Sequence, residues 1–364
     1  MVSRVRSLSS SEIDWEHLFQ LARRHSVVPL VYRQLQTHAA DLVPPDLLAN
    51  FKQNYLENVA RNVVLTSELT KLVGALAGAG IESVPFKGSL LALLAYNDLS
   101  LRRYVDLDII VKKEDVFRAR DVLQAAGFET LQPLTAEQQS ILVRTQHSLQ
   151  LQRDRGRMIV ELHWEVVSDL FATAVSVKDL WHRLIDVELN GQKVKSLSPD
   201  DLLLSLCIHG SKHVWARLAW ICDVAELIRR QSIDWERLME RAADTDCQRM
   251  FYLGVFLAND LLNAVVPDEV KCKFAGDSFF QRCADRVKAR LFSGTQHVPP
   301  TSAELFRFNF SLRNTWRSRA RYFAFTLQPT DRDFSDFKLP RSLHFAYYLL
   351  RPVRLLVLDK YLVP

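Results

Sequence analysis

The sequence predicts an α+β protein, in which a small mixed β-sheet core is flanked by N- and C-terminal helical regions. Apolar residues recur at helical spacing before residue 81 and after residue 197, whereas the residues between combine short apolar runs with turn signals. Two of these signals, "DRG" at 154–156 and Asn190-Gly191, predict hairpins. The predicted regions are helical residues 1–80, the α+β core at 81–197, and helical residues 198–364.

The two helical regions carry recognisable starts and stops. Residues 9–36 open with serines and acids, which are typical of a helix cap, and residues 44–80 start at prolines and end in glycines. Ser198 and Pro199 predict the start of the C-terminal region, with a cap followed by proline in the first turn.

The core is predicted to hold several strands and at least one helix. The predicted strands are 81–86, 104–111, 147–153 and 157–164. A helix is predicted over residues 113–128, with Gly127 ending it. Strands mixed with helices, together with a hairpin, are typical of a small mixed sheet rather than an all-parallel one.

The composition is that of a globular protein, with 48% hydrophobic and 24% charged residues. No run reaches about 18 apolar residues and no apolar leader opens the chain, so neither a transmembrane helix nor a signal peptide is predicted. The net charge of +5 does not by itself indicate nucleic-acid binding. The five cysteines form no Cys-x-x-Cys pair, which predicts reduced core residues of a cytoplasmic protein.

Two carboxylates interrupt the predicted strand "YVDLDIIV". Asp106 and Asp108 share one face of this strand, because side chains alternate. The opposite face holds apolar residues: Val105, Leu107, Ile109 and Val111. Carboxylates about 7 Å apart along a strand can converge on divalent ions, and magnesium suits a pair that also meets substrate phosphates. The alternative is a half-exposed strand with solvated acids.

Three neighbouring features favour the metal hypothesis. "KGS", residues 87–89, follows a predicted strand at a helix start, where backbone N–H groups can bind phosphate. Arg103 lies just before the acids and could pair with phosphate. Glu161 interrupts another predicted strand on the same face as His163, and a third acid there would complete a two-metal site.

These motifs together resemble the nucleotidyltransferases related to DNA polymerase β, and more closely a bacterial family described only as nucleotidyltransferase family proteins. The motifs that carry the resemblance are "FKGS" (86–89), "RYVDLDIIV" (103–111), "ELHW" (161–164), "CIHGSKHVWARLAWICDVAELI" (207–228) and the "DW…LARRH…PLVYRQL" start (14–35). The resemblance spans most of the chain. Two departures are a Glu at 161, where Asp is commoner, and the 16 residues between Ser89 and Asp106.

The resemblance implies transfer of a nucleoside monophosphate from a nucleoside triphosphate such as ATP to an acceptor, with release of pyrophosphate. Asp106, Asp108 and Glu161 would hold Mg²⁺, or Mn²⁺, with Glu161 near the acceptor or acting as a base. The residues implied to contact the donor phosphates are Lys87, Gly88, Ser89, Arg103, Lys212 and His213. The acceptor stays open between a sugar, another small molecule, RNA and protein. Two alternatives are a non-catalytic nucleotide- or partner-binding member of the fold and a toxin that modifies RNA or protein.

Histidines near these motifs have competing interpretations. His209, Lys212 and His213 share a helix face, which suits phosphate or substrate contact, while a zinc pair and simple packing remain alternatives. His163 either orients Glu161 or the metal ligands, or is a surface histidine at a strand end.

Two C-terminal stretches could contact other molecules. Residues 313–325 interleave arginines with aromatics, which suits nucleic acid, an acidic membrane surface, or the solvated face of an amphipathic helix. Residues 345–363 are apolar and basic, which suits a peripheral membrane contact or, as the commoner case, packing against the protein.

Overall fold

The computed structural model describes residues 6–7, 13–130, 135–166, 171, 180–294, 299–328, 339 and 341–351. In this part of the chain the helices are α1 Trp15–Arg24, α2 Val28–His38, α3 Pro45–Gly78, α4 Gly88–Leu91 with a π-turn at Ala92–Tyr96, α5 Val116–Ala125, α6 Ala136–Thr145, α7 Pro199–Lys212, α8 Leu218–Arg230, α9 Trp235–Asp244, α10 Gln248–Leu262, α11 Asp268–Lys271, α12 Ser278–Phe292, α13 Ser302–Ser311 and α14 Trp316–Thr326. The strands are β1 Ser83–Pro85, β2 Leu107–Val111, β3 Glu129–Thr130, β4 Ser148–Arg153, β5 Met158–His163, β6 Ile185–Leu189 and β7 Gln192–Ser196.

The sheet is mixed, which confirms the predicted α+β class. Five strands lie in the order β1-β2-β5-β4-β3, with β2 and β5 parallel and the other pairs antiparallel. Both predicted hairpins form: β4 and β5 pair directly across the "DRG" turn, and β6 and β7 form a separate two-stranded sheet at Asn190-Gly191. Asn190 and Gly191 have φ of 53° and 75°, as this tight turn requires. The domain division at residues 80 and 197 stays a prediction.

Both faces of β2 are covered. Leu107, Ile109 and Val111 are at most 1% exposed and pack in the cluster that includes α3 and α5. Ile110 lies on the other face, with the C-terminal helices. Val105 is 49% exposed, so its predicted place on the apolar face is wrong, because the strand begins only at Leu107.

A polar stripe on α3 fixes the loop that leads into β2. Asn58 donates to the carbonyls of Ser100 and Arg102, and Asn62 donates to the carbonyls of Leu99 and Arg102. These amides are buried, and they satisfy loop carbonyls that would otherwise lack partners. Helix α3 therefore positions the segment just before Asp106.

Glycines allow Trp215 to pack inside the C-terminal helices. Trp215 is fully buried, and a Cβ on Gly210 would lie 2.5 Å from its ring. A Cβ on Gly254 would lie 2.5 Å from the Cys207 Sγ and 3.1 Å from the same indole. Trp215 therefore packs in the core formed by the C-terminal helices.

We expect Gly210→Ala to lower the free energy of unfolding by about 1–3 kcal/mol, because the added methyl overpacks a closed core. The matched control is Gly74→Ala in α3, where a Cβ meets nothing within 4 Å. That change should stabilise the protein by about 0.5–1 kcal/mol through helix propensity. Urea unfolding of both variants measures the contrast. Equal effects of the two substitutions would contradict this packing.

Four of the five cysteines are buried and free, as predicted, but Cys272 is exposed. Within the described ranges, no helix is both long enough and apolar enough to cross a membrane.

The basic-aromatic stretch is divided between core and surface. Arg313 is 2% exposed and lies over the rings of Phe171 and Tyr322, so it does not belong to a solvated face. In α14, Trp316 and Phe323 are 73% and 54% exposed.

The predicted peripheral membrane segment is described only up to residue 351, and its remaining residues lie outside the described part.

Candidate functional site

The parallel pairing of β2 with β5 brings two acids side by side. Asp108 is the register partner of Glu161, and Ile110 is the partner of His163. Asp106 precedes β2 by one residue and lies within electrostatic range of both acids. All three sequence-predicted acids therefore gather at one place. The Asp108 side chain is only 5% exposed, so the alternative of a solvated pair is wrong for this residue.

His163 lies between the two strand acids. Its Nε2 is 2.9 Å from Asp108 Oδ1 and 3.5 Å from Glu161 Oε2. The residue is 2% exposed, so the interpretation as a surface histidine is wrong. Ser148 on β4 donates to the other Glu161 oxygen at 2.7 Å. These contacts fix the orientation of both carboxylates.

Burial and neighbouring charges shift the pKa values of the site groups in different directions. Burial, reinforced by the charges of Asp108 and Glu161, raises the pKa of Asp106 to about 6. Burial alone would lower the pKa of His163, but Glu161 and Asp108 outweigh it and raise that pKa. Burial opposes ionisation of Glu161, yet His163, Lys87 and Ser148 hold its pKa well below the usual range. Glu161 is therefore a carboxylate at neutral pH.

Lys87 supplies a cation next to Asp108. Its Nζ lies 3.7 Å from Asp108 Oδ1, and its side chain is 15% exposed. The backbone at Lys87 and Gly88 has φ of 51° and 39°, the left-handed region, where Lys87 is strained and glycine is favoured. The turn between β1 and α4 thus holds the lysine against the acids.

Ser89 points away from the carboxylates. Its hydroxyl is fully buried and bonds to Thr66 Oγ1 at 2.9 Å and to Tyr104 Oη at 3.1 Å. These bonds join α4 to α3 and to the loop before β2. The hydroxyl thus has partners within the fold, and its predicted contact with phosphate stays a prediction.

The end of α7 faces the acids with basic side chains. Lys212 Nζ lies 3.5 Å from Nε2 of His147, whose ring centroid is 6.1 Å from that of His163. Burial lowers the pKa of Lys212, Glu161 partly offsets this effect, and Lys87 reinforces it. Burial and the charges of Lys212 and Lys87 lower the pKa of His213 to about 3, so its imidazole is neutral.

His209, His213 and Trp220 form a ring cluster beside Lys212. The ring centroids of His209 and His213 are 4.7 Å apart, and Trp220 contacts both. The sequence-predicted helix face of His209, Lys212 and His213 is thus assembled near the acids. Among the described residues Arg103 makes no hydrogen bond or ion pair with the site carboxylates, and its predicted contact with phosphate stays a prediction.

The donor set fits a divalent cation. Ligand atoms of Asp108, Glu161 and His163 all lie within 4.8 Å of one another. The carboxylate oxygens suit Mg²⁺ or Mn²⁺, whereas an imidazole ligand is more typical of zinc and other transition metals. The sequence predicted that His163 lies beside the acids but left its role open. It gave no prediction for His147 or for the polar stripe on α3. The available signal for that stripe was the spacing of Asn58, Asn62 and Thr66 at i, i+4 and i+8.

Comparisons with known proteins agree with the predicted family. The sequence pattern of a family described as "Uncharacterised nucleotidyltransferase" matches residues 11–263. No match was found among curated proteins.

Two solved structures are similar at low identity. One is the antibiotic-resistance factor ANT(2'')-Ia, at 10% identity and a TM-score of 0.37, over 50% of this chain and 91% of that one. The other is an antigenic nucleotidyltransferase-like protein from Paracoccidioides brasiliensis, at 17% identity and a TM-score of 0.31, over 50% of this chain and 88% of that one. The sequence match covers more than half of the chain, and on that ground the chain belongs to this family of uncharacterised nucleotidyltransferases.

Proposed function

We propose that the protein transfers a nucleoside monophosphate from a magnesium-bound nucleoside triphosphate, such as ATP, to an acceptor and releases pyrophosphate. The observation that carries the proposal is the register of Asp108 with Glu161, which gathers the acids of two strands beside Asp106. Family membership supports the same reaction type. With reduced cysteines predicted from the sequence, we further propose that it acts in the cytoplasm.

The acids would hold Mg²⁺, with Mn²⁺ as a substitute. Asp106 and Asp108 would bind the ion on the triphosphate, and Glu161 would lie nearer the acceptor. The ion, when bound, would neutralise phosphate charge that develops during transfer. His163 lies between the two strand acids, at 2.9 Å and 3.5 Å, and it would orient them.

Lysines on both sides of the acids would hold the phosphates. Lys87, on the turn before α4, and Lys212, at the end of α7, are both partly buried. An ammonium group in such a partly dry position interacts more strongly with phosphate than an exposed one. The backbone N–H groups of Gly88 and Ser89 begin α4, where they lack partners within the helix. Positioning by these groups is the main contribution of the protein to such a transfer.

Titration calorimetry of ATP, GTP, CTP and UTP, with and without Mg²⁺, tests the proposal. The wild type is expected to bind at least one triphosphate only with the metal. The Asp106→Asn/Asp108→Asn variant should weaken that binding by at least about 100-fold, or about 2.7 kcal/mol, since it loses two anionic ligands.

The matched control is Asp115→Asn/Asp121→Asn, which removes the same charge from α5 and from the residue just before it. In this control Asp121 is 62% exposed and pairs with Arg120, whereas Asp115 is 15% exposed and pairs with Arg118. Its binding should stay within about twofold of the wild type. Failure of the folded wild type to bind any triphosphate with Mg²⁺ would overturn the proposal.

A further inference from the structure

Four arginines outside the carboxylate site converge beside it. We call them the arginine cluster: Arg23 on α1, Arg61 on α3, Arg103 in the loop before β2, and Arg217 just before α8. Arg103 is half-buried, and the other three are exposed. The proposed donor contacts leave the cluster without a role.

Hydrogen bonds join these elements in two pairs, and an apolar cluster shared by α1, α3 and α8 holds the two pairs together. Asn62, the neighbour of Arg61 on α3, donates to the carbonyl of Arg102 at 2.8 Å, which sets Arg103 against that turn of the helix. At the end of α1, His25 accepts from the backbone N–H groups of Leu218 and Ala219. The start of α8 therefore lies against the end of α1.

The cluster carries excess positive charge. Burial lowers the pKa of Arg103, and the charges of Arg61, Arg217 and Arg23 lower it further, while Glu57 opposes them. In the part of the chain that the structure describes, no ion pair joins any of the four arginines to an acid. Converging like charges repel one another, so the fold keeps this arrangement at a cost that a bound anion would remove.

The ring cluster connects these arginines to the carboxylate site. The guanidinium of Arg217 lies 5.7 Å from the centroid of the Trp220 ring. Trp220 in turn contacts His209 and His213, with ring centroids 5.2 Å and 5.5 Å away. His213 follows Lys212, which faces Glu161. The arginine cluster thus extends the positively charged surface of the site beyond Lys87 and Lys212.

Building on the proposed function, we infer that the arginine cluster binds a phosphate group of the acceptor. The donor phosphates belong with Lys87 and Lys212 beside the acids, so a second basic surface next to them suits a second anionic molecule. Guanidinium groups bind phosphate through two parallel hydrogen bonds, which lysine cannot do. The acceptor would therefore be a phosphate-bearing compound rather than a neutral one.

Inorganic pyrophosphate in EDTA is the probe for this inference, because the metal-free acids repel it from the donor position. In titration calorimetry of the full chain, Arg61→Gln/Arg217→Gln should raise the dissociation constant of pyrophosphate at least about tenfold, since charge-assisted bonds are lost. The control Arg317→Gln/Arg319→Gln removes two exposed charges from α14. It should change the constant less than about twofold. Binding of Mg-ATP should also stay within about twofold in both variants.

Three outcomes would overturn the inference. Pyrophosphate binding could be unaffected by the variant of the arginine cluster. It could also be weakened equally by the α14 control, which would mean that surface arginines attract the anion non-specifically. Mg-ATP binding could weaken as much as pyrophosphate binding, which would place the donor phosphates on the arginines instead. If the wild type did not bind Mg-ATP, the proposed function would be wrong. If Mg-ATP binding were intact but the arginine substitutions did not change pyrophosphate binding, only this inference would be wrong.

Discussion

Glu161→Gln is expected to reduce nucleotidyl transfer at least about 100-fold while leaving Mg-triphosphate binding within about threefold of the wild type. Glu161 is the more open of the paired acids, with 35% of its side chain exposed against 5% for Asp108. It is therefore the acid that an acceptor can reach. Glutamine keeps its shape and can still accept from Ser148, so the loss would reflect charge.

Asp108→Asn is the comparison for this prediction, because the buried aspartate would hold the donor. We expect it to lose donor binding and turnover together. Calorimetry gives the binding, and pyrophosphate release in the presence of a cell metabolite extract gives the turnover. The assignment of separate donor and acceptor sides would be wrong if the two variants lost triphosphate affinity to the same extent.

Asp223→Leu is expected to lower the free energy of unfolding by about 3–5 kcal/mol, because it leaves Arg102 without its partner. Asp223 is 1% exposed and accepts from Arg102 Nε at 3.1 Å and from Tyr96 Oη at 2.9 Å. Burial raises the pKa of Asp223 in spite of Arg102, whereas, against the effect of burial, the attraction to Asp223 raises the pKa of Arg102. The pair is costly to break, because either charge alone would stay buried without its partner.

The double variant Arg102→Met/Asp223→Leu should recover most of the lost stability, since two apolar side chains replace two buried charges. Asp268→Asn, at a surface pair where Asp268 is 97% exposed, should change stability by less than about 0.5 kcal/mol. Urea unfolding measures all three variants. A double variant as unstable as Asp223→Leu would show that the pair contributes net stability.

Strand periodicity predicted only part of the site. Alternation placed Glu161 with His163 on β5, which formed, whereas β2 begins at Leu107, so Asp106 lies outside the strand on which it was predicted to share a face with Asp108. The register of Asp108 against Glu161 could not be predicted, because it depends on the parallel pairing of β2 with β5 across intervening elements. Sequence shows which way a side chain points along its own strand, but not which strand lies next to it.

Residues in loops and turns were harder to place. Ser89 follows Gly88 and Arg103 precedes Asp106 by three residues, yet the Ser89 hydroxyl bonds within the fold and Arg103 lies with other arginines. Consecutive side chains point in different directions at the start of a helix. They also do so in a loop such as the one held by α3. Adjacency in sequence therefore predicted the neighbourhood of these residues but not their contacts.

Transfer of label from nucleoside triphosphates tests the central claim most directly. The protein would be incubated with Mg²⁺, a metabolite extract and each of the four triphosphates, labelled at either the α- or the γ-phosphate. We expect the α-label to move to an acceptor while the γ-label leaves as pyrophosphate, and we expect neither with Asp106→Asn/Asp108→Asn. Transfer of the γ-label, or α-label transfer that persists in the double variant, would contradict it.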